Sequence, residues 1–272
     1  MCDTCGCDET GDVKITNLNH QHSDHHHEHM HNGIKHSHSH THNNHDHSHN
    51  HDQPSERIIQ VQTDIMHKNN LSAHRNRGYF DAKKIFSMNL VSSPGSGKTS
   101  LIEKTITELK PEYDFYVIEG DQQTLNDAKR IKEVGAPVVQ INTGNGCHLD
   151  ADMINRGIKE LDPSEKSIVI IENVGNLVCP ALFDLGESKR IVIISVTEGD
   201  DKPLKYPNMF HSSNLCIINK IDLLPYVDFN TEQAIKFALQ VNRHLEFIEL
   251  SVKTNYGMSL WFDWLRQQHN NL

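Results

Sequence analysis

No apolar run in this 272-residue chain approaches the roughly 20 residues needed to cross a bilayer, and Met1–Cys7 lacks the pattern of a secretion signal. A chain without a membrane partner is expected, cytoplasmic and with reduced thiols. Excess positive charge is also missing: 26 Lys and Arg stand against 36 Asp and Glu, a net charge of −10 with histidines neutral. That balance argues against a nucleic-acid partner held through phosphate contacts. Apolar residues make up only 36% of the chain, low for a sequence folded throughout. The deficit is local. Fifteen of the 21 histidines fall between His20 and His51, among Asn, Ser and Asp with hardly an apolar neighbour. Such a segment cannot bury enough surface to offset its ordering entropy, so disorder is expected while it is unliganded. The remainder from Pro54 has ordinary composition and enough length for a sizeable core. The expected division is a metal-binding tail over 1–53 and a folded domain over 54–272.

The folded part is organised around Ile85–Ile106, IFSMNLVSSPGSGKTSLIEKTI. An apolar strand, Ile85–Val91, enters a Ser/Gly/Pro turn and leaves as a helix with Leu101, Ile102, Thr105 and Ile106 at helical spacing. Gly95 and Gly97 let the backbone aim its NH groups at an anion, and the first helical turn adds unpaired NH groups and its positive dipole end. Ser96 and Ser100 flank this cradle; Lys98 supplies a point charge for the β and γ phosphates, and Thr99 an oxygen for Mg²⁺. The usual G-x-x-x-x-G-K-[ST] has Ser92 in its first place here. Pro54–Ala82 reads as a preceding helix, and strand and helix patterns then alternate to Met258–Arg266. That alternation predicts an α/β fold, a phosphate-loop NTPase with a mostly parallel sheet, helices on both faces and ligands at the strands' C-terminal ends.

Several strand ends carry nucleotide chemistry. Ile217–Ile218–Asn219–Lys220–Ile221–Asp222 ends an apolar strand in N-K-x-D. Asp222 can accept hydrogen bonds from guanine N1 and its exocyclic amine, Asn219 can contact N7 and O6, and adenine would leave the carboxylate unpaired. GTP is the favoured nucleotide, and an ATP-dependent kinase or transport ATPase is disfavoured. Ser251, Val252 and Lys253 follow a later strand and resemble a base-contacting loop. Asp121 and Glu172 each end a strand where Mg²⁺ or its waters would lie, and Gly175 could offer its NH to the γ phosphate. Each acid could instead cap a helix or sit in a satisfied turn. Because E-x-x-G replaces the usual D-x-x-G, roles do not transfer directly from small signalling GTPases. No arginine finger or positioned glutamine stands out, Gln122 and Gln123 being merely near the right place, so low turnover is expected.

The cysteines fall into groups. Cys2, Cys5 and Cys7 form C-x-x-C-G-C, a hook whose three thiolates and nearby α-amine suit a soft or borderline metal. A redox pair, or a zinc site completed by a tail histidine, are the alternatives. The interspersed His20–His51 tract reads as a many-site reservoir for Ni²⁺, Cu²⁺ or Zn²⁺. A coil of about 50 residues has a root-mean-square reach of roughly 35–42 Å, enough to pass an ion to a second site. Cys147 and His148 follow one strand end, and Cys179 lies four residues after Gly175. Brought together, they could bind one metal on a segment sensing the γ phosphate, whereas an inert buried cysteine pair is the other reading. Cys216 sits inside an apolar strand and reads as core.

C-x-x-C-G-C, the His-rich insert, S-S-P-G-S-G-K-T, E-G-D-Q, G-N-G-C-H, I-E-N-V-G-N-L-V-C-P and N-K-I-D together resemble the HypB family of nickel-inserting GTPases of hydrogenase maturation. The resemblance covers nearly the whole chain. It implies a deviant phosphate-loop GTPase of the HypB/UreG kind, cycling between GTP and GDP, and a homodimer. It further implies a high-affinity Ni²⁺ site at Cys2, Cys5 and Cys7 and a second Ni²⁺ or Zn²⁺ site at Cys147, His148 and Cys179. Implied partners are a HypA-type zinc-binding accessory protein, a hydrogenase large-subunit precursor and the nickel storage protein SlyD, with urease maturation as a further role in some organisms. Carrying both hook and tract suggests storage as well as insertion. The alternative is a nickel or zinc store whose GTPase cycle controls only partner binding.

Overall fold

The computed structural model describes residues 14–17, 54–121, 126–144 and 146–272. The hook cysteines, the histidine tract, Gln122 and Gln123 lie outside the described residues. Eight strands form one sheet in the order β1-β4-β3-β5-β2-β6-β7-β8. They are β1 Lys14–Asn17, β2 Phe86–Ser92, β3 Phe115–Asp121, β4 Val138–Asn142, β5 Ile168–Glu172, β6 Lys189–Ser195, β7 Leu215–Asn219 and β8 Glu246–Glu249. Strands β2 to β8 run parallel, and β1 pairs antiparallel with β4 at one edge. The sequence reading has no strand at Lys14–Asn17, which lies on the tail side of the boundary expected at residue 53.

The central strands are apolar without alternation because helices cover both faces; Phe86–Ser92 is buried at every position. Successive residues of β2 point to opposite layers. Phe86, Met88 and Leu90 join the core beneath α2 (Lys98–Leu109), α3 (Asn126–Glu133) and α8 (Met258–Asn270). On the opposite face, Val91 packs with α6 (Pro207–His211) and α7 (Thr231–Val241), while Ile85 packs with α1 (Pro54–Lys83) and α4 (Ala151–Leu161). A four-residue helix, α5 (Lys202–Lys205), precedes α6. Asp150 starts α4 by accepting from the Met153 N–H at 2.8 Å, and Asn230 starts α7 in the same way.

Among its described side chains, helix α1 packs through a mixed polar and apolar face. Ile65 is 46% exposed, whereas Asn69, Ala73, Asn76 and Phe80 are buried, at spacings that place them on one face. Its contact surface is therefore half amide, and each amide has a partner in the chain segments described below.

Candidate functional site

The turn from β2 into α2 has the geometry a phosphate needs. Gly97 precedes α2 with φ of 101°, and a Cβ there would stand 2.5 Å from the Asn219 amide nitrogen. Only glycine combines that backbone with that approach. Ser92, the departure from the usual pattern, is fully buried and accepts the Lys98 ammonium at 2.6 Å. Burial lowers the Lys98 pKa from the usual lysine value, with Glu172 foremost among the charges opposing it. Among the described residues the buried Ser96 Oγ has no partner, and it lies in the cradle itself. Ser100 accepts from Arg130 Nη2 at 3.2 Å, so its hydroxyl faces a cation-bearing neighbour on α3.

The N-K-x-D turn closes over this loop. Asn219 donates to the Ser96 carbonyl at 2.8 Å and accepts the Lys220 N–H at 2.7 Å; Lys220, itself at φ 62°, donates to the Gly95 carbonyl at 2.6 Å. Both ends of the Asn219 amide are engaged, so in this arrangement it ties the base-side turn to the phosphate loop. Asp222 accepts the Ser251 hydroxyl at 2.6 Å, which brings together two of the expected base-side groups. Val252 is half-buried and Lys253 exposed beside them.

Two buried carboxyls stand behind the loop. Glu172 ends β5, is 4% exposed, and accepts the Thr99 hydroxyl at 2.7 Å. Glu119, its register partner on β3, is 2% exposed. Burial pushes Glu172 up to about 7, and pushes Glu119 up to about 9 with the charges of Glu172 and Asp121 adding to it. One oxygen of each has no partner among the described residues. An unpartnered carboxylate oxygen beside a phosphate-loop threonine fits a divalent cation or its water shell. Asp121 ends β3, half-buried, two residues beyond Glu119 on the same face. Glu119 is absent from the acids singled out by sequence, although its alternation with Asp121 is the signal that could have found it. Lys202 of α5 is also new: its ammonium lies 3.2 Å from Ser93 Oγ and 3.0 Å from Glu198.

From Glu172 the chain runs along the loop. A Cβ on Gly175 would lie 3.1 Å from Pro94, so this segment packs directly on the phosphate-binding turn. Asn173 donates to Asn89 at 3.3 Å and accepts the N–H of Leu149 at 3.3 Å, next to His148. Asn176 donates to the Cys147 carbonyl at 3.4 Å. A short 3-10 turn, Cys179–Leu182, follows.

Cys147, His148 and Cys179 converge there, with one ligand atom from each lying within 4.8 Å of the others. All three are half-buried, and among the described residues they form the one such group. His148 stacks on Phe183 with ring centroids 3.9 Å apart and planes at 22°. Burial holds its imidazole below the usual histidine range, against the pull of Asp150, which keeps a lone pair available at neutral pH. Two thiols and a neutral imidazole are a donor set for Zn²⁺ or Ni²⁺, one short of a closed tetrahedral shell. Cys216 is fully buried in β7, and burial drives its thiol pKa far up, as its core reading requires.

No helix among the described residues is long and apolar enough to cross a membrane. The profile of the CobW/HypB/UreG nucleotide-binding domain matches residues 87–249, from β2 to the end of β8. The hydrogenase maturation factor HypB of Rhizobium leguminosarum bv. viciae is 56% identical over 210 residues, covering 77% of this chain and 70% of that protein. The crystal structure of HypB from Archaeoglobus fulgidus superposes with a TM-score of 0.70 at 38% identity, over 74% of this chain and 98% of that one. HypB from Helicobacter pylori in complex with nickel superposes equally, TM-score 0.70 at 36% identity, over 75% and 96% of the two chains. With the matched stretch enclosing the phosphate loop, the buried acids and the thiol–imidazole group, this chain belongs to the HypB branch of the CobW/HypB/UreG family.

Proposed function

We propose that this chain hydrolyses GTP to GDP and phosphate and uses that cycle to hold and release nickel during hydrogenase maturation. One observation carries the reading. The segment from Glu172 to Cys179 touches Thr99 at one end and places its thiol beside Cys147 and His148 at the other. The Lys98 ammonium and the loop N–H groups would hold the β and γ phosphates, and Asp222 with Ser251 would select guanine. Thr99, Glu172 and Asp121 would hold Mg²⁺, which supplies charge neutralisation at the transferred phosphoryl group.

Gly175 packs on Pro94, so a γ phosphate entering or leaving the turn shifts this segment and with it Cys179. Cys147 and His148 belong to another loop, and the donor geometry changes with the nucleotide. A differential of about 1.4 kcal/mol between the two states suffices for a tenfold change in metal affinity. Cargo would pass between this site, a HypA-type protein and the hydrogenase large-subunit precursor, with SlyD and the Cys2–Cys5–Cys7 hook as sources. Zn²⁺ fits the same donors. A homodimer could complete the shell that three donors leave open.

The test is Ni²⁺ titration of the full-length chain and its Cys179→Ala variant, each with GDP and with a non-hydrolysable GTP analogue. In the parent, one Ni²⁺ per chain should bind with nucleotide-dependent affinity, and Cys179→Ala should lose that ion while keeping the rest. Identical titrations for the two proteins would remove the second site.

A further inference from the structure

The donors of the thiol–imidazole group sit on two limbs that share no strand. Cys147 and His148 precede α4, and Cys179 opens the 3-10 turn that leads to β6. Helix α1 supplies no donor, yet its buried amides reach both limbs. Asn69 donates to the Asp184 carbonyl at 2.8 Å and accepts the Ala151 N–H at 2.9 Å, so one side chain spans them. Two turns on, Asn76 donates to the carbonyls of Ala151 at 2.7 Å and Leu185 at 3.0 Å, and accepts Asn155 Nδ2 at 3.0 Å. Arg77 adds a fork to both oxygens of Asp184, at 2.9 and 3.0 Å.

Both backbone groups of Ala151 are thus held by α1, three residues beyond His148. Asp184 and Leu185 are held five and six residues beyond Cys179. Asn76 is fully buried and Asn69 is 7% exposed. An asparagine carries a donor and an acceptor on one rigid fork, which is what bridging an N–H on one limb and a C=O on the other requires. A leucine stripe would pack α1 as well but would fix neither limb along the helix axis. Metal donors must meet within a few tenths of an ångström of about 2.0–2.3 Å from one ion, so the relative placement of the limbs sets affinity.

We propose that α1 is a clamp that sets the donor spacing of the Cys147–His148–Cys179 site, with Asn69 and Asn76 as positioning residues bridging its two limbs. This rests on the reading that these three residues bind metal. Phe183 works in the same direction, because it belongs to the Cys179 limb and stacks on the imidazole of the other.

The test uses the full-length chain with Cys2, Cys5 and Cys7 changed to Ser, titrated with Co²⁺ and followed by thiolate-to-cobalt charge transfer. With Cys216 buried in the sheet, the band then reports Cys147 and Cys179. Asn69→Ala should weaken Co²⁺ binding about tenfold and shift the band, with guanine-nucleotide affinity unchanged. Arg77→Ala, at a half-exposed position, should weaken it about threefold and decides the matter if Asn69→Ala does not fold. Ile131→Val trims a buried side chain on the opposite face of the sheet and should lower the melting temperature without moving the cobalt affinity. The clamp is overturned if the α1 variants bind Co²⁺ as the parent does, or if Ile131→Val weakens binding equally. A parent with no charge-transfer band removes the metal site, and the clamp with it.

Discussion

Replacing Glu119 by Gln should stabilise the nucleotide-free chain, and by an amount that grows with pH. Glu119 is 2% exposed, faces Glu172 across the β3–β5 pairing, and has its pKa pushed from 4.5 up to about 9, burial being the larger cause. Because the folded-state value lies above the unfolded one, the folded chain holds a proton that the unfolded chain has released anywhere between pH 4.5 and 9. Each unit of rise in that window therefore removes about 1.4 kcal/mol from the parent and nothing through this site from the Gln variant. At pH 8, 3.5 units above the unfolded value, the gap reaches about 5 kcal/mol. At about 2–4 °C per kcal/mol for a domain of this size, the melting temperatures should differ by about 10 °C or more. Thermal melts of both proteins in chelator, from pH 5 to pH 9, measure it. A pH-independent gap would refute the buried-acid reasoning. Adding GTP and Mg²⁺ should narrow the gap, since a cation at this place favours the ionised carboxyl.

Asp222→Asn should move nucleotide preference from GTP toward XTP, measured by competition; because Asp222 also accepts the Ser251 hydroxyl, overall affinity should fall as well. Gly97→Ala puts a side chain at φ 101° and 2.5 Å from the Asn219 amide. Strain of about 1–2 kcal/mol plus a lost hydrogen bond of about 1 kcal/mol should weaken GTP binding at least tenfold, and unchanged affinity in calorimetry would contradict the close approach.

The parallel strands were legible because they are buried on both faces and so read as unbroken apolar runs, such as Ile168–Ile171 and Leu215–Ile218. The phosphate loop was legible because its chemistry is local: glycines, lysine and threonine lie within a few residues of one another. Lys14–Asn17 escaped because a four-residue polar edge strand has no periodicity of its own and exists only through its partner β4. The packing face of α1 escaped for a related reason: Asn69 and Asn76 look solvated until the backbone groups they satisfy are known. Ser92 reads as a defect in a motif, whereas in three dimensions it is the seat of the Lys98 ammonium. The convergence of Cys147 and His148 with Cys179 was foreseeable only as a condition on the sheet order, which no single stretch encodes.

Strand β1 closes the edge of the sheet that β4 would otherwise leave open. Lys14 lies opposite Asn142 and Asn17 opposite Val139, so the strand begins at the rim where β4 runs on toward Cys147 and finishes toward the other rim. The backbone groups that Val139–Asn142 would otherwise offer to a second chain are thereby taken up within this one, so a four-residue strand removes an edge at which copies could join.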